Sequence, residues 1–569
     1  MLVADVFAQQ LKANGIEKLF VYPGGTIAPL VVACMEIGIG YECFKSEQGA
    51  GYAALAWSRL TNNPQVVLVT SGPGATNLVT PIADAFYDST PLIVVTGQVS
   101  TMDLSSRKAV RQRGFQETNT VEITKSISKR SICVMGAREA VEEIGKAFDF
   151  ATRGRKGPVV IDFPMNIQKT KVDFEVKIIP FFKKREIILD PNSFDKNELQ
   201  RLLSKSQKIV LLLGHGALES GCFDEFVYIA EQLDALVACS FLGMGAYDTN
   251  DARFVGYIGH TGHQAANTAV HHADLVMVLG SRLDVRQTGT LVDQFVPNGK
   301  VIWIESDTDE LAHPRVRIDV KVKSTVEEFI PHLVEILPTV QKTSDLNWRK
   351  HIFSIKNAKM EDMDYSNNAT IYPRPVLNQL SEQIASQDYI VVTGVGCHQH
   401  WAARHIPLGP KHRRLLTSGG HGTMGYDLPS AIGAALSDPS KLILCIVGDG
   451  SLLMNVQELA SLVKRQLNVK IVIMNNLRLG IVSQFQKMNW GNDPMTGDFE
   501  EIAFVKVGEA FGIKSKRLEN PKEITKSVRW LLSDKKPRIL EVMIDSKADI
   551  LPMLLAGQKM DEMWQGYQE

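Results

Sequence analysis

The sequence carries almost no net charge and no long run of basic residues. Its 62 lysines and arginines are balanced by 63 aspartates and glutamates, which leaves a formal net charge of −1. Because nucleic acids and anionic membranes attract basic surfaces, we expect neither as a partner. The sequence also lacks any apolar run near the roughly 18–20 residues that a membrane-spanning helix needs, and its first residues do not resemble a signal peptide.

Cysteine is scarce and follows no pattern. Seven cysteines are scattered along 569 residues, and no two of them form a Cys-x-x-Cys pair. Most lie in apolar stretches, which is typical of buried thiols in a reducing compartment rather than of disulfides. These absences favour a soluble, cytoplasmic enzyme.

Short apolar strands alternate with longer helical patterns along the whole chain. Segments such as VVLVTSG, KIVLLLG and KLILCIVGDG end in glycine or a polar turn, as parallel strands covered on both faces do. The predicted fold class is therefore α/β, with three doubly wound parallel-sheet domains. Two charged or irregular segments, 168–192 and 337–372, separate predicted domains at 1–170, 190–337 and 370–569.

The last predicted domain contains the most specific motif. The strand KLILCIV runs into GDGS, and the next predicted strand ends in NN. In the first motif, Gly448 and Gly450 let backbone N–H groups approach an anion closely, and Ser451 follows them. Asp449 and Asn476 supply oxygen ligands that suit Mg²⁺ once diphosphate oxygens join them. GDG alone is common in turns, but GDG and NN closing successive strands predict a diphosphate–Mg²⁺ site.

Further motifs follow in order along nearly the whole chain. They include VYPGG (21–25), SEQGAGYAALAWSR (46–59), TSGPGATN (70–77), GFQETNTVEITK (114–125) and TSGGHGTMGYDLPSAIGAA (417–435). Together with GDGS and NN they resemble the acetolactate (acetohydroxyacid) synthase group of thiamine-diphosphate enzymes. The resemblance implies a pyrimidine-binding first domain, a central nucleotide-binding domain and a diphosphate-binding last domain. It also implies a homodimer or homotetramer with shared active sites.

The resemblance assigns roles around the reacting atoms. Glu47 matches the glutamate that hydrogen-bonds N1′ of the cofactor's aminopyrimidine, which favours the tautomer that removes the thiazolium C2 proton. Gln116 matches a glutamine near the reacting carbonyl, and Phe115 would form an apolar wall beside it. Without the resemblance, Glu47 would be interpreted as an ordinary helix cap.

Other matches concern cofactor binding. Met424 matches the apolar residue that supports the bent cofactor, although alone it would be an ordinary core methionine, and Gly422 belongs to the same loop. The GCHQ segment, with Gly396 and His398, would hold diphosphate oxygens, while His398 could equally be a packed histidine. The main-chain carbonyl of Arg478 would be a third metal ligand.

The central domain carries a second nucleotide signal. SRLDVRQTG resembles the flavin-binding pattern of the family, which assigns Arg282 and Arg286 to FAD. Arg155, in GRKGPV, matches a further arginine that contacts FAD. The same two arginines of the central domain could instead be ion-pair partners of Asp284. In a carboligase the FAD would be structural, because no net redox change occurs.

Departures from the family pattern surround the predicted acceptor pocket, which also includes Gly25. Ser46 stands where the family usually has His, Met165 stands in place of Lys, and Phe485 replaces a Trp that governs acceptor choice. In addition, GCHQ replaces GQHQ, and His421 replaces a leucine in the glycine-rich loop. Losing the lysine removes a charge suited to a second keto acid, and Phe in place of Trp makes room. These changes favour a ketone acceptor such as a nucleotide-linked keto sugar, as in the related enzyme of yersiniose synthesis.

The combined observations predict a thiamine-diphosphate-dependent carboligase that decarboxylates pyruvate and transfers the two-carbon unit to a carbonyl acceptor. The main alternative is an acetolactate synthase that condenses two pyruvates. A pyruvate oxidase-like flavoenzyme would need the flavin as electron acceptor. An inactive nucleotide-binding homologue would have lost Glu47 or the metal ligands, and all of them are present.

Overall fold

The computed structural model describes residues 1–566 except 106–109, 181–193, 342–343, 359–369, 411, 494 and 497–499. Within these residues the strands form three six-stranded sheets, in which every strand pair is parallel. The predicted α/β class with three doubly wound sheets is confirmed. None of the described helices has the length and apolar character needed to cross a bilayer.

The first sheet lies between residues 18 and 164 and has the order β2-β1-β3-β4-β6-β5. Its strands are β1 (Lys18–Val21), β2 (Gly40–Cys43), β3 (Gln65–Val69), β4 (Leu92–Gln98), β5 (Arg130–Cys133) and β6 (Pro158–Pro164). The accompanying helices are α1 (Val3–Ala13), α2 (Ala28–Glu36), α3 (Glu47–Thr61), α4 (Pro73–Asn77), α5 (Val79–Tyr87), α6 (Thr120–Thr124), α7 (Ala137–Thr152) and α8 (Met165–Gln168).

The central sheet lies between residues 209 and 323 and has the order β12-β11-β10-β7-β8-β9. Its strands are β7 (Ile209–Leu213), β8 (Leu236–Cys239), β9 (Phe254–Tyr257), β10 (Leu275–Leu279), β11 (Lys300–Glu305) and β12 (Val320–Lys323). The helices are α9 (Lys196–Lys205), α10 (His215–Ser220), α11 (Phe223–Gln232), α12 (Gln264–His271), α13 (Val285–Thr288), α14 (Thr308–Ala312) and α15 (Val326–Ile336), followed by α16 (Leu346–Asn357).

The third sheet lies between residues 389 and 543 and has the order β14-β13-β15-β16-β18-β17. Its strands are β13 (Tyr389–Thr393), β14 (Arg413–Thr417), β15 (Leu442–Gly448), β16 (Val469–Asn475), β17 (Lys514–Leu518) and β18 (Arg538–Met543). The helices are α17 (Pro373–Ile384), α18 (Cys397–His405), α19 (Asp427–Ser437), α20 (Asp449–Leu453), α21 (Leu459–Arg465), α22 (Gly480–Trp490), α23 (Phe504–Ala510) and α24 (Ile524–Leu531).

The strand orders indicate where each domain binds ligands. The first and third sheets share one order relative to their own first strand, as related folds would. The central sheet follows the order 3-2-1-4-5-6 of dinucleotide-binding folds, with its reversal between β7 and β10. Loops diverge at such a reversal and leave a crevice beyond the carboxyl ends of the strands.

The small residues of α3 are explained by contact between the first and third sheets' helices. A methyl group added to Gly433 of α19 would come within 2.2 Å of the carbonyl oxygen of Ala53 in α3. On another side of α3, a methyl group at Gly51 would come within 2.7 Å of Pro81. The alanines and glycines therefore allow two helices of the same chain to approach closely, and they hold the first residues of α3 near the third domain.

Candidate active site

A carboxylate and a carboxamide lie at the carboxyl ends of two neighbouring strands of the third sheet. Asp449 begins α20 directly after β15, and Asn476 directly follows β16. These strands are parallel, with Gly448 opposite Met474, so both side chains emerge at one edge of the sheet. Each residue is only 7% exposed. The structure thus brings the two predicted metal ligands together.

The surroundings of Asp449 suit a divalent cation. Burial raises the pKa of its carboxyl to about 6, against the opposing effect of backbone hydrogen bonds from Gly450 and Leu477. A bound cation would favour the ionised carboxylate. The carboxylate and the Asn476 amide oxygen are hard ligands of the kind that Mg²⁺ takes together with phosphate oxygens. The guanidinium of Arg478 pairs with Asp493 and has no lone pair to offer a metal, so the candidate ligand is the Arg478 carbonyl.

One buried aspartate joins the loops around this edge. Asp427, the first residue of α19 and 1% exposed, accepts hydrogen bonds from three groups. The backbone N–H of Gly394 and the Nε2 atom of His398, at 3.2 Å, contact its Oδ1, and the Ser451 hydroxyl donates to its Oδ2. His398 is buried, with its Nε2 bonded to Asp427 and its ring against Gly448, and its contact with diphosphate stays a prediction. Its position still orders the predicted diphosphate loop.

Two glycines allow these loops to approach each other. Gly396 has φ +148°, and a methyl group there would meet the His398 ring at 2.7 Å. Gly425, with φ +80°, donates its N–H to the Ser451 hydroxyl at 2.9 Å. Met424 lies half-buried in the turn that this glycine completes, and Gly422 belongs to the same loop. The predicted cofactor loop is thereby linked to the diphosphate motif.

Acidic residues of the first domain hold the glycine-rich loop from the other side. Asp88 accepts hydrogen bonds from the backbone N–H groups of Gly419 and Gly420, at 2.9 and 2.6 Å, and pairs with Arg59 at 3.2 Å. Asp84 accepts a hydrogen bond of 2.5 Å from Ser418. Burial, with a further contribution from neighbouring Asp88, raises the pKa of Asp84.

Ser46, not Glu47, caps α3. The Ser46 hydroxyl accepts a hydrogen bond from the backbone N–H of Gly49 at 2.9 Å and donates to Glu458 at 3.1 Å. Glu47 is 8% exposed, and its Oε2 accepts a hydrogen bond of 2.9 Å from Asn77. The cap function is therefore fulfilled by the neighbouring serine, and the Glu47 carboxylate remains available for another partner through Oε1.

Gln116 and Phe115 lie on a loop that packs against the first domain's glycine turn. Gln116 has φ +64° and is so close to Gly72 that a methyl group on that glycine would come within 2.9 Å of it. Phe115 is 86% exposed within this single chain. Gly25 begins a short 3₁₀ turn, and Met165 begins α8 half-buried at the end of β6. None of these described residues forms a hydrogen bond or ion pair with Asp449 or Asn476.

A cavity of about 860 Å³ lies at the strand reversal of the central sheet. Its lining includes Arg155, Arg282 and Arg286, the three arginines assigned to FAD. Arg155 pairs with Asp307 and Glu310, Nη1 to carboxylate oxygen, at 3.0 and 2.8 Å. Arg282 pairs with Asp284 at 3.5 Å, as the ion-pair alternative expects, whereas Arg286 forms no ion pair with Asp284 in the described part of the chain.

A smaller cavity of about 240 Å³ lies between α22, the central domain and the C-terminal segment. Helix α22 begins at Gly480, where an added methyl group would come within 2.7 Å of the Asn476 side chain. One turn further on, Phe485 lines this cavity opposite His260 and Arg286, with Ile481, Val482 and Met553 as further walls. His260 and Arg286 line the large cavity as well.

Several of these residues were not singled out by sequence reasoning. Asp427 and Arg59 stand inside motifs quoted for the resemblance, and Asp84 and Asp88 stand in DAFYDSTPLIVVTGQV (84–99), a further segment that it covers, but no pattern gave these residues a role. An acid at the first position of a helix is normally interpreted as a favourable charge at the helix N-terminus. Only the tertiary structure shows that Asp427 accepts hydrogen bonds from Gly394, His398 and Ser451. Glu458 gives no local signal at all.

Three family models match the chain in succession. A thiamine pyrophosphate enzyme N-terminal TPP binding domain matches residues 1–123, a thiamine pyrophosphate enzyme central domain matches residues 197–333, and a C-terminal TPP binding domain matches residues 394–542. Thiamine pyrophosphate is thiamine diphosphate. The last model contains Asp427, Asp449 and Asn476.

Proteins named as acetolactate synthase large subunits are similar to this chain over nearly its full length. Acetolactate synthase isozyme 2 large subunit of Escherichia coli is 33% identical over 560 residues, which covers 97% of each chain. Acetolactate synthase large subunit of Lactococcus lactis is 35% identical, covering 98% of this chain and 95% of the relative. Probable acetolactate synthase large subunit of Methanocaldococcus jannaschii is 32% identical, covering 99% and 95%.

Proposed function

The chain belongs to the acetolactate synthase-like family of thiamine-diphosphate enzymes, which form carbon–carbon bonds, and on that premise we propose its substrates. The donor is pyruvate, which loses carbon dioxide, and the remaining two-carbon unit is transferred to a carbonyl acceptor. The observation that carries this proposal is the small cavity between α22 and the central domain. Its walls are formed by the helix that follows the predicted metal ligand Asn476 and by residues that include a cation, Arg286.

The cofactor supplies an electron sink for the decarboxylation, and the protein supplies position and protons. Asp449 and Asn476 would hold Mg²⁺ against the diphosphate, and Ser451, fixed by Asp427, would donate to a diphosphate oxygen. Met424 would support the cofactor from the loop that Asp84 and Asp88 anchor. Glu47 would hold a proton at N1′ of the pyrimidine, and residues 1–170 and 370–569 would share this work.

The acceptor would lie with its carbonyl toward the cofactor and its far end at Arg286. A cavity of about 240 Å³ suits a small molecule, and a guanidinium binds a carboxylate or phosphate through two parallel hydrogen bonds. Phe485, 54% exposed, would pack against the acceptor's apolar part. A second 2-keto acid, pyruvate included, therefore fits this cavity.

A larger acceptor is the second candidate, and the shared walls of the two cavities favour it. His260 and Arg286 line both cavities, so a nucleotide-linked keto sugar could extend from Phe485 into the space of about 860 Å³. FAD, which we assign to residues 190–337 on the strand order and the three arginines, would compete for that space. If the purified protein contains FAD, the large cavity is occupied and a small 2-keto acid is the favoured acceptor. If it contains no FAD, the nucleotide-linked keto sugar is favoured.

Two measurements test these proposals. Mass analysis of products from pyruvate alone, and from pyruvate with a panel of keto acids and keto sugars, should show a two-carbon adduct; release of carbon dioxide with no adduct would refute carboligation. The visible absorption spectrum of the purified protein reports bound FAD. If anaerobic pyruvate reduces that flavin near-stoichiometrically, the enzyme is an oxidase and the carboligase proposal fails.

We also propose a homodimer, or a dimer of dimers, with active sites shared between subunits. Phe115 and Met102 are 86% and 84% exposed on the first domain, as expected for apolar side chains that a second subunit covers. Mixing the inactive variants Glu47→Gln and Asp449→Ala under subunit exchange tests this directly. A shared site regains activity because one of two sites is intact in the mixed dimer; no recovery in a verified mixed dimer would place each site within one chain.

A further inference from the structure

Two histidines and an aspartate form a cluster away from the candidate active site. His271 ends α12, His272 follows it as the helix C-cap, and Asp561 lies in the C-terminal segment. The ring nitrogens and carboxylate oxygens that they offer all lie within 4.8 Å of one another. No role in the proposed reaction involves these residues.

The hydrogen bond on one side of His271 determines what its other side presents. Its Nδ1 lies 2.9 Å from the carbonyl oxygen of Gln294. A carbonyl oxygen only accepts, so Nδ1 carries the proton and the neutral ring presents the Nε2 lone pair. That lone pair faces Oδ1 of Asp561 at 3.5 Å. This oxygen is buried and has no hydrogen-bond partner among the described groups.

Two lone pairs that face each other in a buried place require a positive centre. The positive centre could be a proton on Nε2, which makes His271 an imidazolium, or a metal ion that both Nε2 and the carboxylate oxygen bind. Metal-binding histidines typically donate their second ring N–H to a backbone carbonyl or carboxylate, as His271 does to Gln294.

The second histidine favours the metal. Nε2 of His272 lies 3.0 Å from Oδ2 of the same carboxylate, so two imidazoles converge on Asp561. Ligands about 2.0–2.1 Å from one Zn²⁺ in tetrahedral geometry lie about 3.3 Å apart. Each imidazole lies at about that separation from one oxygen of the carboxylate, His271 at 3.5 Å from Oδ1 and His272 at 3.0 Å from Oδ2, and the three ligand atoms lie within 4.8 Å of one another. Two imidazoles and a carboxylate, with water as a fourth ligand, are a frequent donor set for Zn²⁺.

We propose that His271, His272 and Asp561 bind a divalent transition-metal ion of the Zn²⁺ class. The ion would connect the C-terminal segment to the central domain. That segment is already docked there, because the Leu554 N–H donates to the His260 carbonyl at 2.7 Å and Met560 is buried in the central core. The same segment contributes Met553 to the small cavity, so the ion would stabilise one of that cavity's walls.

Metal titration of the holoenzyme tests the site. Protein treated with a chelator and then saturated with thiamine diphosphate and Mg²⁺, which occupies the catalytic edge, is titrated with Zn²⁺, and with Co²⁺ for its visible absorption. We expect one ion per chain. The variants His272→Ala and Asp561→Asn should each weaken binding by at least about 100-fold, since even an outer-sphere partner contributes 10–100-fold. His272 is 45% exposed in its side chain, so its removal should not disturb packing.

His412→Ala is the matched control. This histidine lies 2.9 Å from Asp388 and is also exposed, but no second histidine faces its carboxylate partner among the described residues. It should leave Zn²⁺ binding unchanged, and Zn²⁺ should raise the melting temperature of the wild type but not of His272→Ala. Absence of Zn²⁺ uptake by the wild type would identify an imidazolium–carboxylate pair and overturn the proposal. Equal uptake by wild type, His272→Ala and Asp561→Asn would also overturn it.

Discussion

Asp427 offers the sharpest test of how the candidate active site is held together. Its carboxylate accepts hydrogen bonds from Gly394, His398 and Ser451, which lie in the segments that follow β13 and β15. Replacing Asp427 by Asn keeps the shape of the side chain but removes its charge. One oxygen can still accept from Gly394 and His398. The new amide N–H₂ group faces the Ser451 hydroxyl, which must rotate to accept from it.

The expected magnitude follows from the type of bond. A hydrogen bond to a charged group contributes about 1.5–3 kcal/mol and a neutral one about 0.5–1.5 kcal/mol, so three bonds lose about 3 kcal/mol in total. Part of that loss acts on the Ser451 hydroxyl, which can no longer be held as a donor by Asp427. If about half of this 3 kcal/mol is the free energy needed to order the loops again when the cofactor binds, the affinity for thiamine diphosphate falls roughly tenfold.

The assay is a titration of the apoprotein with thiamine diphosphate at saturating Mg²⁺, followed by tryptophan fluorescence and by activity. We expect Asp427→Asn to weaken cofactor binding about tenfold while most turnover returns at saturation. Asp438→Asn, at the far end of the same helix and on the surface, is the control and should bind as the wild type does. Unchanged cofactor affinity in Asp427→Asn, with a normal fold, would refute the positioning role.

Three further predictions concern other carboxylates. Glu47→Gln should bind thiamine diphosphate normally but lower turnover by at least about 100-fold, since an amide cannot act in proton transfer; normal turnover would contradict its assignment. Asp449→Ala should lose Mg²⁺-dependent cofactor affinity by at least about tenfold, measured by calorimetry at several Mg²⁺ concentrations, and equal affinity would exclude it as a ligand. Burial raises the pKa of Asp162 to about 6, above its unfolded value near 4. The protonated carboxyl therefore stabilises the fold by about 3 kcal/mol below pH 4, and this contribution is lost as the pH rises through 6. Urea unfolding should therefore show the wild type losing more stability between pH 4 and 7 than Asp162→Asn, and parallel pH profiles would contradict the shift.

A part of the candidate site can be predicted from the sequence when the residues that form it are recognisable from their immediate neighbours in the chain. Asp449 and Asn476 each end a strand, and a buried strand followed by glycine and a polar residue can be recognised from a few neighbouring letters. Parallel strands end at the same edge, so their meeting follows from the pattern. The α/β class is predicted on the same basis and the thiamine-diphosphate family from the resemblance of the motifs, and both predictions are confirmed.

Positions next to a motif were harder to interpret. Ser46 was assigned to the acceptor pocket because it departs from the family pattern, but its hydroxyl caps α3 and contacts Glu458. His398 has two interpretations of equal weight; its contact with Asp427 accounts for Nε2, and its contact with diphosphate stays a prediction. The FAD arginines and their ion-pair alternative remain compatible, because Arg282 both lines the large cavity and pairs with Asp284.

By itself, the sequence determined the chemistry that each strand end offers: an oxygen ligand, a glycine, a hydroxyl. Only the tertiary structure decided how these groups are held. Asp427 meets Gly394, His398 and Ser451 across separations of 33, 29 and 24 residues, and His272 meets Asp561 across 289. Such partners are joined by the topology of the sheets and the docking of the C-terminal segment. Hydrophobic burial drives both, and it leaves no local trace at the polar residues that it brings together.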